Sequence, residues 1–456
     1  MSASLLDRFA PDWETLSRGI ATLGRPDQAL GVSLTGRVEQ VVGLVIEAVV
    51  PEARIGALYH VDIPGRVPLV AEVVGFRAKT ALMMPLGEIE GVRQGCPVRP
   101  MKSRAVAPVG PAFLGRAIDG LGRPLDGGPM PEVAELAPLY ANPPNPMLRA
   151  PVRQPLSLGV RAIDAMLTCG RGQRLGIMAG SGVGKSTLLG MMARQTEADV
   201  NVIALIGERG REVRNFVERD LGPEGMKRSV LVVATSDTAP LIRIRAAWLA
   251  TTLAEYFRRQ GQHVLLMMDS LTRFAMAQRE VGLAVGEPPT TRGYTPSVFT
   301  LLPRLLERAG NDDGEGTLTG LYTVLVEGDD MNDPVGDASR AILDGHIVLS
   351  RALAARAHYP SIDILESASR CMNEVTTKAH QQAAGKVRRL MATWAKVEDL
   401  IRIGAYQQGS DPAADAAVAH IESINMLLQQ GVEENATFER AEQQLTAIAR
   451  RAGGGA

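Results

Sequence analysis

Between residues 151 and 375 the chain repeats one pattern. Short unbroken apolar runs occupy residues 175–179, 202–206, 230–234, 264–268 and 321–326. Stretches with helical periodicity separate them, as at 186–194 and 241–259. A strand wetted on one face alternates apolar and polar residues, whereas unbroken runs are expected of parallel strands buried on both faces. This region therefore predicts an α/β fold with a largely parallel sheet. Before it, Val-rich runs at 36–45, 67–74 and 80–84 are punctuated by Gly and Pro, the pattern of a small β-barrel or sandwich.

The remaining segments differ in character. Residues 101–150 carry Pro- and Gly-rich stretches, which predict irregular chain draped over the next domain rather than a free linker. Residues 376–456 are rich in Ala, Gln and Leu and predict a helical domain, with a disordered tail at the terminal Gly-Gly-Gly-Ala. At the other end, Trp13, Leu16, Ile20 and Leu23 fall on one face of a helix beginning near Pro11 and stopping at Gly24. The expected organisation is an amphipathic segment at 1–25, a barrel at 26–100, the α/β core at 101–375 and a helical domain at 376–456.

Composition narrows the function classes. Among 456 residues, 49 basic and 50 acidic side chains leave a net charge of −1. Residues 26–100 hold seven basic and eight acidic residues, and Tyr59 and Phe76 are their aromatics. A barrel that stacks and neutralises RNA or DNA needs more of both. The three cysteines, Cys96, Cys169 and Cys371, lie far apart in no metal spacing, which predicts buried free thiols in a reducing compartment. No apolar run reaches the length of a membrane span. The expectation is a cytoplasmic protein that meets a membrane only through partners.

The strongest chemical signal is Ala179-Gly-Ser-Gly-Val-Gly-Lys-Ser186, between an apolar strand and an amphipathic helix. It matches the phosphate-binding loop G-x-x-x-x-G-K-[ST] apart from Ala179 in first place. Gly180, Gly182 and Gly184 let the backbone curl so that its N–H groups converge, and the helix adds its positive end. Lys185 suits the β- and γ-phosphates, and the Ser186 hydroxyl suits Mg²⁺. Ser181, Val183 and Thr187 complete the expected nucleotide contacts. A second apolar strand ends in Asp269, the Walker B arrangement for Mg²⁺. Glu208 lies just past a third strand, where ligands of parallel sheets bind. Hydrolysis needs a water-activating group there, though a salt-bridged surface Glu fits the position as well.

Assembled, these residues resemble the hexameric ATPases related to rotary ATP synthase catalytic subunits, and more closely the ATPases of bacterial type III export. The resemblance spans nearly the whole chain. It rests on Gly36-Arg-Val, Gly172-Gln-Arg-Leu-Gly, the phosphate loop, Gly207-Glu-Arg-Gly-Arg-Glu-Val, Asp269-Ser-Leu-Thr-Arg-Phe, Gly286-Glu-Pro-Pro, Gly293-Tyr-Thr-Pro, Glu327-Gly-Asp-Asp, Asp344-Gly-His-Ile-Val-Leu-Ser-Arg, His358-Tyr-Pro-Ser-Ile-Asp and Gly409-Ser-Asp-Pro, in the family's order. The flagellar branch is more similar than the injectisome branch.

The resemblance implies a P-loop (RecA-like) core between a β-barrel and a helical domain, with ATP and Mg²⁺ as ligands. It implies that Glu208 polarises the attacking water, with Arg209 and Glu212 beside it. It implies that Arg370 is an arginine finger for a neighbour's site and that Tyr359 stacks on adenine. The implied partners are five further copies of the chain, a regulatory dimer at the N-terminal helix, a coiled-coil stalk, export-gate membrane proteins and chaperone–substrate complexes. A rotary synthase subunit, an injectisome ATPase and an RNA-translocating ring remain alternatives.

Overall fold

A computed structural model describes residues 35–51, 53–101, 105–326, 330 and 333–452. The amphipathic segment at 1–25, residues 327–329 of the Glu327-Gly-Asp-Asp motif and the terminal Gly-Gly-Gly-Ala lie outside the described residues.

Six strands close into a barrel: β1 Gly36–Val42, β2 Val45–Val49, β3 Leu58–Val61, β4 Leu69–Arg77, β5 Thr80–Pro85 and β6 Pro97–Pro100, ordered β1-β2-β5-β4-β3-β6. The single apolar run expected at 36–45 is two strands. Gly43 takes a positive φ of 57°, the left-handed conformation a tight hairpin requires, and turns the chain inside the run. Val38, Ile46, Val61, Val73, Met83 and Val98 fill the barrel interior.

The connecting chain that follows is less irregular than expected. It forms β7 Val106–Val109, β8 Ala117–Asp119 and β9 Glu135–Pro138. β7 pairs with β9, while β8 joins the edge of the central sheet beside the strand Ser229–Ala234. After the short ribbon of β10 Pro155–Leu156 and β11 Cys169–Gly170 come β12 Arg174–Ala179, β13 Val200–Ile206, β14 Ser229–Ala234, β15 His263–Asp269, β16 Thr317–Leu325, β17 Gly345–Leu349 and β18 Ile362–Ser369. The sheet order is β18-β17-β12-β16-β15-β13-β14-β8. All neighbours are parallel except β17 and β18.

The unbroken apolar runs have the cause inferred from the sequence. Val202, Ala204 and Ile206 of β13 enter the hydrophobic core on one face of the sheet, whereas Ile203 and Leu205 enter the core on the other. β14 and β15 divide their residues in the same way. The expected helix at 241–259 is Pro240–Arg259, buried almost all round. Its charged residues are paired. Arg245 donates to Glu72 Oε2 of the barrel at 2.7 Å, and Tyr140 Oη donates to Glu72 Oε1 at 3.0 Å. Glu255, nearer its end, receives both ends of the guanidinium of Arg308, a fully buried residue.

Three helices close the chain: Lys378–Arg402, Pro412–Leu428 and Phe438–Arg451. Thr377, Asp411 and Thr437 cap their N-termini through side-chain oxygens. This bundle is fastened to the core. His380 Nε2 meets the Ala165 carbonyl at 2.8 Å, and the Arg161 side chain reaches Glu434 and the carbonyls of Leu427 and Gln429. Cys96 and Cys169 are buried and Cys371 is half-buried, all as free thiols.

The Glu72–Arg245 pair joins barrel to core with both side chains under a tenth exposed. Burial pushes the Glu72 carboxyl up and Arg245 opposes that shift. Removing one partner of a buried pair strands the other charge, at about 3–5 kcal/mol. We expect Glu72→Leu to lower the melting temperature more than Glu72→Leu combined with Arg245→Met, measured by thermal denaturation.

Candidate active site

The phosphate loop leaves β12 at Ala179 and ends where the helix Lys185–Gln195 begins. Gly182 and Gly184 hold φ of 78° and 91°, conformations open to glycine at little cost. Gly184 occupies the N-cap position and has no side chain to cap the helix. The first-turn N–H groups are therefore available to an anion.

Sheet order brings the charged groups together. β12, β16, β15 and β13 are consecutive neighbours, so residues at their carboxyl ends share one rim. Lys185 Nζ bonds Asp269 Oδ1 at the end of β15 and stands 3.5 Å from Glu208 Oε1, just past β13. Thr323, on the strand between them, donates to Asp269 Oδ1 at 2.6 Å. Asp269 is buried. Glu208 is held by the turn at Gly207, where an added Cβ would fall 2.8 Å from the Arg273 side chain.

Burial, then a hydrogen bond shared with Glu212, pushes the Glu208 carboxyl up to about 7, against the attraction of Lys185. The same hydrogen bond holds Glu212 below the usual carboxylate range. The two carboxyls thus divide one proton, with Glu208 the member that titrates near neutrality.

A cleft of about 580 Å³ opens over this rim. Gly180, Ser181, Gly182, Gly184, Lys185, Ser186, Thr187, Glu208 and Arg209 line it. The Val183 side chain instead enters the core, and its carbonyl accepts a hydrogen bond from Ser361. Tyr359 lies beside the loop, its ring 3.6 Å from where a Cβ on Gly184 would stand, with nearly half its surface exposed. Arg209 is largely exposed and stands 3.5 Å from Glu212. Thr272, Arg273, Met276 and Arg351 also line the cleft, and sequence reasoning assigned them no role. Arg273 lay within a motif already noted, in the first turn of the helix Leu271–Val285 that follows β15.

Arg370 is not at this rim. It follows β18, and its backbone N–H donates to the Asp344 carbonyl, while Asp344 N–H donates to the carbonyl of Arg174 at the start of β12. The phosphate loop leaves the other end of β12. Five steps of strand rise separate the two ends, roughly 17 Å. Arg370 therefore stands at the opposite end of the sheet from its own loop.

A hydroxyl at a helix start, a carboxylate at a strand end and a lysine between them form a magnesium-nucleotide donor set rather than an all-protein metal cage. Mg²⁺ is commonly held by one or two protein oxygens together with phosphates and water. Ser186 and Asp269 fit that description. Among the described residues no cluster of three or more His, Cys, Asp or Glu would hold a metal by itself.

Comparison with known proteins gives this geometry its setting. Residues 159–369 match the nucleotide-binding domain of the ATP synthase alpha/beta family, residues 38–102 its beta-barrel domain, and residues 376–447 the C-terminal domain of the type III secretion ATPase EscN. The flagellum-specific ATP synthase of Bacillus subtilis is 52% identical over 91% of this chain and 94% of that protein. The chain belongs to the flagellum-specific ATP synthase and type III secretion ATPase family. A type 3 secretion system ATPase of Sinorhizobium fredii is 51% identical over 89% of this chain and 90% of that protein. The assembled ATPase EscN of enteropathogenic E. coli superposes with a TM-score of 0.87 at 48% identity, covering 91% of this chain and all of that one. The same ATPase in complex with its central stalk EscO gives 0.84 at 47% identity, with the same coverage. The protein is an ATP hydrolase with the fold expected from its sequence. The match at 376–447 sets it apart from rotary synthase subunits.

Glu208 can take a proton from water, as a water-activating group must, only as a carboxylate. The raised value means that this form is gained as pH rises through about 7. The stability associated with its protonated form is full below the usual carboxylate range and lost through the same interval. We expect kcat/KM for ATP to climb with an apparent pKa near 7. In Glu212→Gln, which removes a neighbouring negative charge, that limb should move to lower pH.

Proposed function

We propose that this ATP hydrolase serves the flagellar protein export apparatus as a homohexameric ring, splitting ATP at its subunit interfaces to drive chaperone release and substrate entry. The observation that carries the reading is the placement of Arg370. A chain holding Glu208 at one end of its sheet and Arg370 at the other offers half a site from each side. Copies repeated head to tail join the halves, and the ring closes if the rotation does. The assembled form of EscN supports this arrangement.

Within such an interface each residue has a task. The loop N–H groups and Lys185 hold the β- and γ-phosphates. Ser186 and Asp269 would hold Mg²⁺, which would offset phosphate charge. Glu208 orients a water for in-line attack on the γ-phosphorus. The bond from that phosphorus to the bridging oxygen breaks, leaving ADP and phosphate, and the water proton passes to the carboxylate or to solvent. Arg370 of the adjoining copy neutralises charge developing on the transferred group. Tyr359, exposed beside the loop, packs against the adenine.

The flagellar assignment is supported by the several relatives of that name, at about 50% identity. The injectisome relatives at 48–51% make secretion of virulence proteins the second reading. The EscN complex supports a central stalk protein as partner, which we take to be a coiled coil. The export gate and a regulatory dimer at residues 1–25 complete the proposed set. Among the described residues no helix is long and apolar enough to cross a membrane, which suits a cytoplasmic location with peripheral attachment to the gate.

The divided site has a direct test. Glu208→Gln and Arg370→Ala chains should each lose at least about a hundredfold in kcat, the scale of an arginine finger or a catalytic carboxylate. Mixed together they should regain a fraction of the wild-type rate, because some interfaces pair an intact Glu208 with an intact Arg370. Two inactive variants that stay inactive in mixed rings would count against shared sites.

A further inference from the structure

The chain between β17 and β18 does more than join two strands. Ser350 and Ser361 close it at its base, with Ser350 N–H donating to the Ser361 carbonyl at 2.8 Å. Three of its residues meet the phosphate loop. Ser361, 1% exposed, donates its hydroxyl to the Val183 carbonyl at 2.7 Å. Arg351 donates to the Ser181 carbonyl at 3.4 Å. The Tyr359 ring covers Gly184.

The loop needs such support. Its inward N–H groups bind phosphate only if its carbonyls turn outward, and an outward carbonyl without a partner is costly when buried. The glycines that permit the curl also leave the unbound backbone many alternatives. Partners at the carbonyls of residues 181 and 183 select the conformation in which the N–H groups converge.

The support is itself anchored from behind. The Tyr359 carbonyl accepts a hydrogen bond from Gln430 N–H at 3.0 Å, and Arg356 pairs with Glu398 of the helix Lys378–Arg402 at 2.9 Å. The Gln430 side chain also holds the Gly159 carbonyl and accepts from Arg161 N–H. The segment is therefore fixed between the helical bundle and the nucleotide loop.

We propose that Ser361 and Arg351 are positioning residues for ATP, bracing the outward carbonyls of the phosphate loop from a segment seated on the C-terminal domain. This rests on the phosphate-loop reading above. A preformed loop loses less conformational freedom when phosphate binds, so the brace acts on affinity.

The test uses the full chain, with Ser361→Ala, Ser361→Thr, Arg351→Ala, Lys185→Ala and wild type compared under assembled conditions. KM for ATP, kcat and equilibrium binding of a fluorescent ADP analogue are measured, with ligand-free melting temperatures alongside. We expect Ser361→Ala to weaken analogue binding and raise KM about fivefold to tenfold, the size of one buried hydrogen bond. The change in kcat should be smaller. Ser361→Thr, which keeps the hydroxyl, should restore most of the affinity. Arg351→Ala, at an exposed position where folding is not at stake, should weaken binding severalfold. Wild-type affinity in both alanine variants, while Lys185→Ala loses binding, would overturn the brace and leave the phosphate site standing. Unaltered binding in Lys185→Ala would instead remove the reading on which the brace depends.

Discussion

One ammonium group held at the meeting point of three strand ends sets the terms for the rest of the molecule. Lys185 follows β12, Asp269 ends β15 and Glu208 follows β13. They converge because these strands, with β16 between β12 and β15, run parallel in adjacent positions and finish on one rim. Parallel pairing demands crossovers over both faces, and covering both faces makes the strands apolar throughout. The apolar runs and the charged rim are thus consequences of one topology. The same sheet supplies Thr323, whose hydroxyl fixes a carboxylate that would otherwise be buried beside the core with one partner fewer. Carboxylates placed this close, in partial burial, also compete for protons, and this pushes Glu208 toward neutrality while Glu212 stays ionised.

The topology also divides the chemistry. A parallel strand presents its carboxyl end to one rim, so the phosphate loop and its companions gather there. β18 runs the other way and delivers Arg370 to the opposite rim. No side-chain rotation spans the length of the sheet, so on the proposed reading a second copy supplies the arginine at the phosphates. In that reading assembly and catalysis share one constraint, the reversal of the last strand.

Much of this could be read from the sequence because it depends on local rules. Glycines at fixed intervals before a lysine state the phosphate loop, and unbroken apolar runs state buried parallel strands. What escaped depends on register or on weak patterns. β17 is only five residues, and its buried positions alternate with half-buried ones that include Val348, while β18 alternates irregularly, so neither gave a clear strand signal. β8 is three residues within a Gly- and Pro-rich stretch and becomes a strand only by pairing with β14. The run at 36–45 concealed a hairpin because Gly43 is flanked by apolar residues. Thr323 meets Asp269 through β15–β16 pairing, and Arg351 meets the loop through the β17–β18 connection. Neither relation is encoded by spacing along the chain.

The excess of arginine over lysine acquires a physical use. Seven of the 49 basic residues are lysines. All the described ones, Lys185 included, are exposed or half-buried. The cations in or beside the core are mostly arginines. Arg308 bonds Glu255, Thr252 and the Leu139 carbonyl at once, Arg174 joins Asp344 and Glu307, and Arg245 ties the barrel to the core. A guanidinium remains charged when buried and spreads its donors over several acceptors, which suits it to fixed joints. A lysine is a compact charge on a flexible stem with few directional demands. On the proposed reading that property is the useful one at the strand rim, since Lys185 would exchange Asp269 for a phosphate oxygen and must not be locked into a planar fork. In that reading the residue that changes partners is the lysine, and the buried arginines are the ones that do not.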